Sequence, residues 1–222
     1  LMASEGSNLS KVGYQFFKHQ EKSYIAVEMD NAEGWHTYWK NPGDAGIPNE
    51  FKFSINNNPV SVTELEWPAP KRFLEQGGMK AYAYEKKNIF FFDVSELVNS
   101  NKNNILEIKT SWLICKELCI PGTKVSKAQI VDQKINFNSD ELLNYSEQQL
   151  LENLDKLPSK YLKDDLSFFM NLSDDKSKLI ISYTLPLTQK IEIDSKFNIM
   201  TPFLAPPLGF KDEKLYLDRK NN

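Results

Sequence analysis

Between Val12 and Val131 the chain advances in short runs of β-branched and aromatic residues, each closed by a turn signal, and no helical period separates them. This punctuation is the tightest constraint on the fold. The runs are VGYQFFKH (12–19), YIAVEM (24–29), FKFSI (51–55), VTELEW (62–67), NIFFFDV (88–94), NILEIKTSWLIC (104–115) and KVSKAQIV (124–131). Turn-forming residues stand between them at Asn31 to Gly34, Asn41 to Asp44, Asn56 to Pro59 and Asn99 to Asn104. Such residues favour turns because they tolerate left-handed backbone or fix φ for a bend. Short alternating strands with regular turns predict an all-β domain, an immunoglobulin-like antiparallel β-sandwich.

The pattern changes at Asn138. Asn138 or Ser139 can cap a helix begun by Asp140 and Glu141, and Ser146 with Gln149 matches a capping box. Leucines at 143, 150, 154 and 157 follow near the helical period until Pro158 breaks it, which predicts a helical connector. Strand signals return in LSFFMNL (166–172), KLIISYTL (178–185) and KIEIDSKF (190–197), ahead of the proline-rich MTPFLAPPLGF. The expected organisation is a sandwich over 1–137, a connector over 138–160 and a smaller C-terminal β unit over 161–222.

Charge narrows the function classes. The 27 basic and 30 acidic residues are interspersed, so no single-sign stripe is offered to phosphates and nucleic acid is not an expected partner. The longest apolar run, Ile89 to Phe92, is strand-sized and far short of the roughly 18 residues of a membrane helix, so no direct membrane insertion of this chain is expected. The start, LMASEGSNLS, has neither a basic leader nor an apolar core, and the expectation is a leader peptide absent from these residues.

The only two cysteines, Cys115 and Cys119, lie in WLICKELCIPG (112–122). Cys115 closes a strand, and Pro121-Gly122 turns the chain again, so the sulfurs can meet across a tight bend. As a staple such a bridge is weak, because a loop of about five residues gives about 2 kcal/mol on the chain-entropy argument. The spacing departs from C-x-x-C, and the histidines, His19 and His36, are distant in sequence, so zinc lacks ligands. Monovalent copper accepts two sulfurs. A redox-active pair, a structural bridge and a metal site all stand open on the residues alone.

Three stretches in order, GWHTYWKNPGDAGIP (34–48), EWPAPKRF (66–73) and WLICKELCIPG (112–122), resemble the N-terminal periplasmic domain of the thiol:disulfide interchange protein DsbD family, in particular its ScsB-like branch. The resemblance covers most of 12–131 and thins beyond Asn138. It implies an immunoglobulin-type domain in the bacterial periplasm, a thiol:disulfide oxidoreductase of the protein-disulfide reductase type that works without a cofactor. Its electron donor would be a transmembrane thiol reductase domain, and its acceptor a periplasmic thioredoxin-like or disulfide isomerase protein. Cys115 and Cys119 fall on the family's catalytic pair, with Cys119 forming the mixed disulfide and Cys115 resolving it.

The chain also departs from the family. DsbD spaces its cysteines more widely, and where the family strand carries two tyrosines flanking one residue this chain has His36-Thr37-Tyr38. The family closes an aromatic lid over its disulfide, and in the longer region 72–84, which bears Gln76-Gly77-Gly78, the nominated lids are Phe73 and Tyr82. His36 and Tyr38 are candidates for assisting or shielding the pair. Lys116 would favour a thiolate at Cys115 while Glu117 opposes it. Two other readings remain: a copper-binding or copper-tolerance module with the thiols as Cu(I) ligands, and a non-catalytic scaffold sandwich with a structural disulfide.

Overall fold

The protein is described by a computed structural model covering residues 5–99, 104–158, 167–175 and 179–184. Those residues fall into two units, one of them 5–158, the other a hairpin beyond residue 166. In the first, the strands in chain order are β1 (Ser10–His19), β2 (Lys22–Asn31), β3 (His36–Gly43), β4 (Glu50–Ile55), β5 (Asn58–Val60), β6 (Thr63–Glu64), β7 (Lys71–Leu74), β8 (Lys80–Glu85), β9 (Lys87–Asp93), β10 (Asn104–Cys115), β11 (Cys119–Val131) and β12 (Lys134–Phe137). They form two antiparallel sheets, β1-β2-β9-β6 and β12-β11-β10-β3-β8-β7. β10 changes partner along its length, pairing β4 at Leu106 to Ser111 and β3 at Ile114 and Cys115. This is the expected immunoglobulin-like, all-β sandwich.

Side-chain alternation builds the core between the sheets. Ile25, Val27 and Met29 of β2 and Phe90 and Phe92 of β9 face Leu106, Ile108, Trp112 and Ile114 of β10. Phe51 bridges the layers, its ring 5.1 Å from Phe90 and 5.0 Å from Phe92. The first sheet is buried on its other face too: Tyr24, Ala26, Ile89 and Phe91 pack against Leu150. Leu150 belongs to α2 (Glu147–Asp155), which follows α1 (Ser95–Val98) in the chain. Burial on both faces explains the unbroken Ile89 to Phe92 run, since no polar residue is needed in alternation there.

The capping box expected at the start of α2 is present: Ser146 Oγ accepts from Gln149 N–H, and the Gln149 side chain accepts from Ser146 N–H. The helix expected at Asn138 or Ser139 does not form. Those residues make a turn closed by Glu141 N–H donating to Asn138 C=O, and the chain then attaches to β1, with Tyr14 N–H donating to Glu141 C=O and Leu143 N–H to Tyr14 C=O. Backbone pairing at a sheet edge outcompetes the local capping signal. Asn56 and Asn57 both take positive φ, 49° and 67°, in the two-residue turn joining β4 to β5.

Five strands lie outside the runs read from the residues: β3, β5, β7, β8 and β12. The turn read at Asn41 to Asp44 is displaced, because β3 continues through Gly43, with a bulge between Tyr38 and Gly43. The run at 62–67 reduces to the two-residue β6. In the second unit, β13 (Ser167–Leu172) and β14 (Leu179–Thr184) form an antiparallel hairpin, as the two apolar runs predict. The run at 190–197 and the proline-rich segment after it lie outside the described residues, as do 100–103 of the expected turn.

Candidate functional site

β10 and β11 pair without a slip from Asn104↔Ile130 to Cys115↔Cys119, so the ladder itself sets the two cysteines opposite each other. Their Cα atoms are 4.2 Å apart and the sulfurs are joined in a disulfide. This matches the narrow rungs of an antiparallel ladder, about 4.5 Å, where side chains approach most closely. A short loop closes the end, with Lys116 N–H donating to Leu118 C=O. The two cysteines differ in exposure: Cys115 is 1% exposed, whereas Cys119 is exposed, as are Lys116, Glu117 and Leu118 beside it.

The pair lies on the sheet face turned away from the inter-sheet core. Ile114 enters that core, and its successor Cys115 points the other way, into a small cluster with Tyr38, Ala81 and Ala83, flanked by Phe73 and Leu113. β3 is the next strand, and His36 stands directly opposite Cys115. By alternation His36 and Tyr38 share the disulfide's face. The His36 ring stacks on Phe73, centroids 4.9 Å apart and planes 21° apart, and meets Tyr38 edge-on at 5.2 Å. Phe73 therefore caps His36 beside the pair.

Tyr82 does not join this group. Its neighbours Ala81 and Ala83 belong to the disulfide's cluster, so the strand period sends Tyr82 to the opposite face, where it meets Trp39 edge-on at 6.3 Å. Of the two nominated lids, only Phe73 is on the site's side.

A carboxylate that the sequence reading overlooked completes the constellation. Glu75 Oε1 lies 2.8 Å from His36 Nε2 and accepts from the Tyr38 hydroxyl at 3.3 Å. The Tyr38 hydroxyl is also 3.3 Å from His36 Nε2 and 4.0 Å from Cys119 Sγ. Glu75 follows Phe73 at the two-residue period, which was the available signal. It is held by a turn in which Glu75 N–H donates to Met79 C=O and Gly78 N–H to Glu75 C=O. Gly77 and Gly78 supply its positive φ values of 81° and 79°. Tyr38 is sealed from behind by Gly46, at φ 102°, where an added Cβ would sit 2.3 Å from the phenol ring. Burial, the negative charge of Glu75 and the hydrogen bond to it hold the Tyr38 phenol well above its ordinary range, so the hydroxyl stays protonated.

Lys116 lies over Gly34, its Nζ 3.2 Å from where a Cβ would stand. Among the described residues no three His, Cys, Asp or Glu side chains cluster as metal ligands, and no helix is long and apolar enough to cross a membrane.

A sandwich that carries, at the end of a two-strand ladder, a bonded cysteine pair with one exposed member fits a class, the thiol–disulfide exchange domain. A family model for the thiol:disulfide interchange protein DsbD, N-terminal, matches residues 9–129, more than half of the chain, and the chain belongs to that family. In fold it is similar to the crystal structure of the N-terminal periplasmic domain of ScsB from Proteus mirabilis, with a TM-score of 0.52 and 20% identity over 75% of this chain. The alignment covers 60% of that structure, so this chain spans less than two thirds of its length. The reduced N-terminal domain of Neisseria meningitidis DsbD aligns at a TM-score of 0.35 and 7% identity, covering 60% of this chain and 94% of that one. No curated protein sequence matches the chain significantly.

Proposed function

We propose that this chain relays electrons in the periplasm through Cys115 and Cys119. It takes them from the dithiol of a transmembrane reductase domain and delivers them to the disulfide of a thioredoxin-like or disulfide isomerase protein. The observation that carries this reading is the unequal exposure of the two bonded cysteines, 1% at Cys115 against an exposed Cys119. Exchange proceeds by in-line attack of a thiolate on one sulfur of a disulfide, so a visitor needs one reachable sulfur and a second, shielded one to finish the reaction.

In the delivering half-reaction the Cys119 thiolate attacks the partner's disulfide, forming a mixed disulfide and releasing one partner thiol. Cys115 then attacks Cys119 Sγ, re-forms the internal bond and frees the second partner thiol. Two electrons and two protons leave the domain, and the loading half-reaction restores them. Exposed Leu118, in the loop between the cysteines, offers an apolar contact at the point of docking.

The test is to trap the intermediate. Cys115→Ser is expected to accumulate a mixed disulfide through Cys119 with a periplasmic thioredoxin-fold protein, while Cys119→Ser accumulates none. Equal trapping by both variants would remove the assignment of Cys119 as the attacking sulfur, and no trapping by either would remove the relay.

A further inference from the structure

Beside the cysteine pair, three titratable side chains, His36, Tyr38 and Glu75, are joined by hydrogen-bond contacts. The Tyr38 hydroxyl lies 4.0 Å from Cys119 Sγ. Behind it, Glu75 Oε1 contacts both the Tyr38 hydroxyl and His36 Nε2, at 3.3 Å and 2.8 Å. The chain of contacts therefore runs from sulfur to phenol to an imidazole–carboxylate pair. We infer that Tyr38, His36 and Glu75 form a proton relay serving Cys119: it carries away the thiol proton when Cys119 attacks a disulfide and returns one when Cys119 is released as a thiolate. This inference rests on the exchange reading above.

The proton balance is closed. In the delivering direction the Cys119 S–H proton passes to the Tyr38 oxygen as the Tyr38 O–H proton moves on to the Glu75 carboxylate or His36 Nε2. Tyr38 is again a neutral phenol, and the pair behind it holds the extra proton. Electrons move only between sulfurs: the partner's disulfide is reduced and the Cys115/Cys119 dithiol is oxidised. In the loading direction the steps reverse. The Glu75 side chain is 15% exposed against 7% for His36, so Glu75 is the member that meets solvent and exchanges the proton with bulk water.

The surroundings suit a relay. A docked partner covers Cys119 and excludes the water that would otherwise take its proton, leaving Tyr38 as the polar route out. The elevated phenol described above keeps Tyr38 a two-way hydroxyl, one that donates through its hydrogen while accepting at its oxygen. His36 is walled by Phe73, Tyr38 and Cys115. The charged groups near it include Glu75, Glu85 opposite on β8 with its carboxylate paired to Lys71 at 3.3 Å, Arg72 next to Phe73 in β7, and Lys116 next to Cys115 over Gly34. Glu85 is a partly exposed carboxylate paired with Lys71, and Glu75 is the carboxylate bonded to the imidazole.

A purely electrostatic role for Glu75 predicts the opposite sign from a relay. A carboxylate near a thiol disfavours the thiolate, so if charge were all that mattered, Glu75→Gln would ionise Cys119 more readily and speed exchange at neutral pH. Loss of a proton acceptor slows it instead.

The experiment is stopped-flow exchange of the pre-reduced full chain with oxidised glutathione from pH 5.5 to 9, using wild type, Tyr38→Phe, Glu75→Gln and the double variant. Each single substitution is expected to slow exchange by about tenfold at neutral pH. That is below the 10²–10⁴-fold typical of acid–base catalysis, because this small probe leaves water at the sulfur. The deficit closes toward pH 9, where hydroxide substitutes for the relay, and the double variant is no slower than Tyr38→Phe because Glu75 acts through Tyr38. Phenylalanine keeps the ring that packs on Gly46, and should Tyr38→Phe fail to fold, the sign of the Glu75→Gln effect decides alone. Unchanged or faster exchange by Glu75→Gln at neutral pH, with wild type reacting, overturns the relay and leaves the exchange reading intact. A wild-type protein that does not exchange overturns both.

Discussion

The molecule has two clusters with contrasting construction. The core between the sheets is built from large rings and branched chains, Phe90, Phe92, Trp67, Trp112, Ile25 and Ile108 among them, and the described residues give it no ion pair. The cluster at the cysteines is small, with Ala81 and Ala83 as floor and a hydrogen-bonded His36, Tyr38 and Glu75 as wall. The first carries folding free energy through buried area, the second places reactive atoms next to water. Stability and chemistry should therefore separate under mutation.

The largest effect that would break this comparison comes from the core. Phe92→Ala removes a ring 5.0 Å from both Phe51 and Phe53 and is expected to destabilise by about 3–5 kcal/mol in chemical denaturation. The exchange rate per folded molecule should not change. A comparable loss of rate in the folded fraction would mean that core and site are coupled.

A smaller effect belongs to the disulfide. The loop it closes is short, so reduction should lower stability by only about 2 kcal/mol on the chain-entropy argument, and the reduced protein should keep its far-ultraviolet dichroism and melt cooperatively. Unfolding on reduction would make Cys115–Cys119 a structural staple.

The smallest effect is a pH response of the core. Burial holds the Tyr84 phenol neutral far above its ordinary range, and its hydroxyl donates to Pro68 C=O at 2.7 Å. Because the folded-state value is raised above the unfolded one, this contribution is whole below pH about 10 and is lost as pH rises further. At pH 11 the Tyr84 share of the loss should be on the order of 1 kcal/mol, read from denaturant midpoints, and Tyr84→Phe should remove that share while the other raised phenols, Tyr38 and Tyr145 among them, keep theirs. An undiminished alkaline loss in that variant would place the titrating group elsewhere.

The same contrast explains what the sequence disclosed. Strands with one or both faces in the main core announce themselves, as β2, β9 and β10 do through alternation or an unbroken apolar run. β3 and β8 did not. β3 lies between β10 and β8, so His36, Thr37 and Tyr38 are all buried and show no polar–apolar alternation. β8 reads Lys-Ala-Tyr-Ala-Tyr-Glu, where alanine, a poor strand former, is needed as a flat floor beneath the site. The cysteine pair was legible because a rung of a hairpin is local. Glu75 was not, because its partners His36 and Tyr38 come from another strand and nothing in QGG indicates what the turn holds. Tyr82 was nominated as a lid without β8 in view: once the strand is known, its neighbouring alanines fix its side.

The central claim is that the Cys115–Cys119 bond opens and closes under physiological thiol chemistry. Its most direct test is the reduction potential of the pair, measured by equilibrating the full chain with glutathione redox buffers and quantifying the two forms. The account predicts a value above about −300 mV, within reach of thioredoxin-like partners. A pair that remains oxidised below that value would be a structural bond and would contradict it.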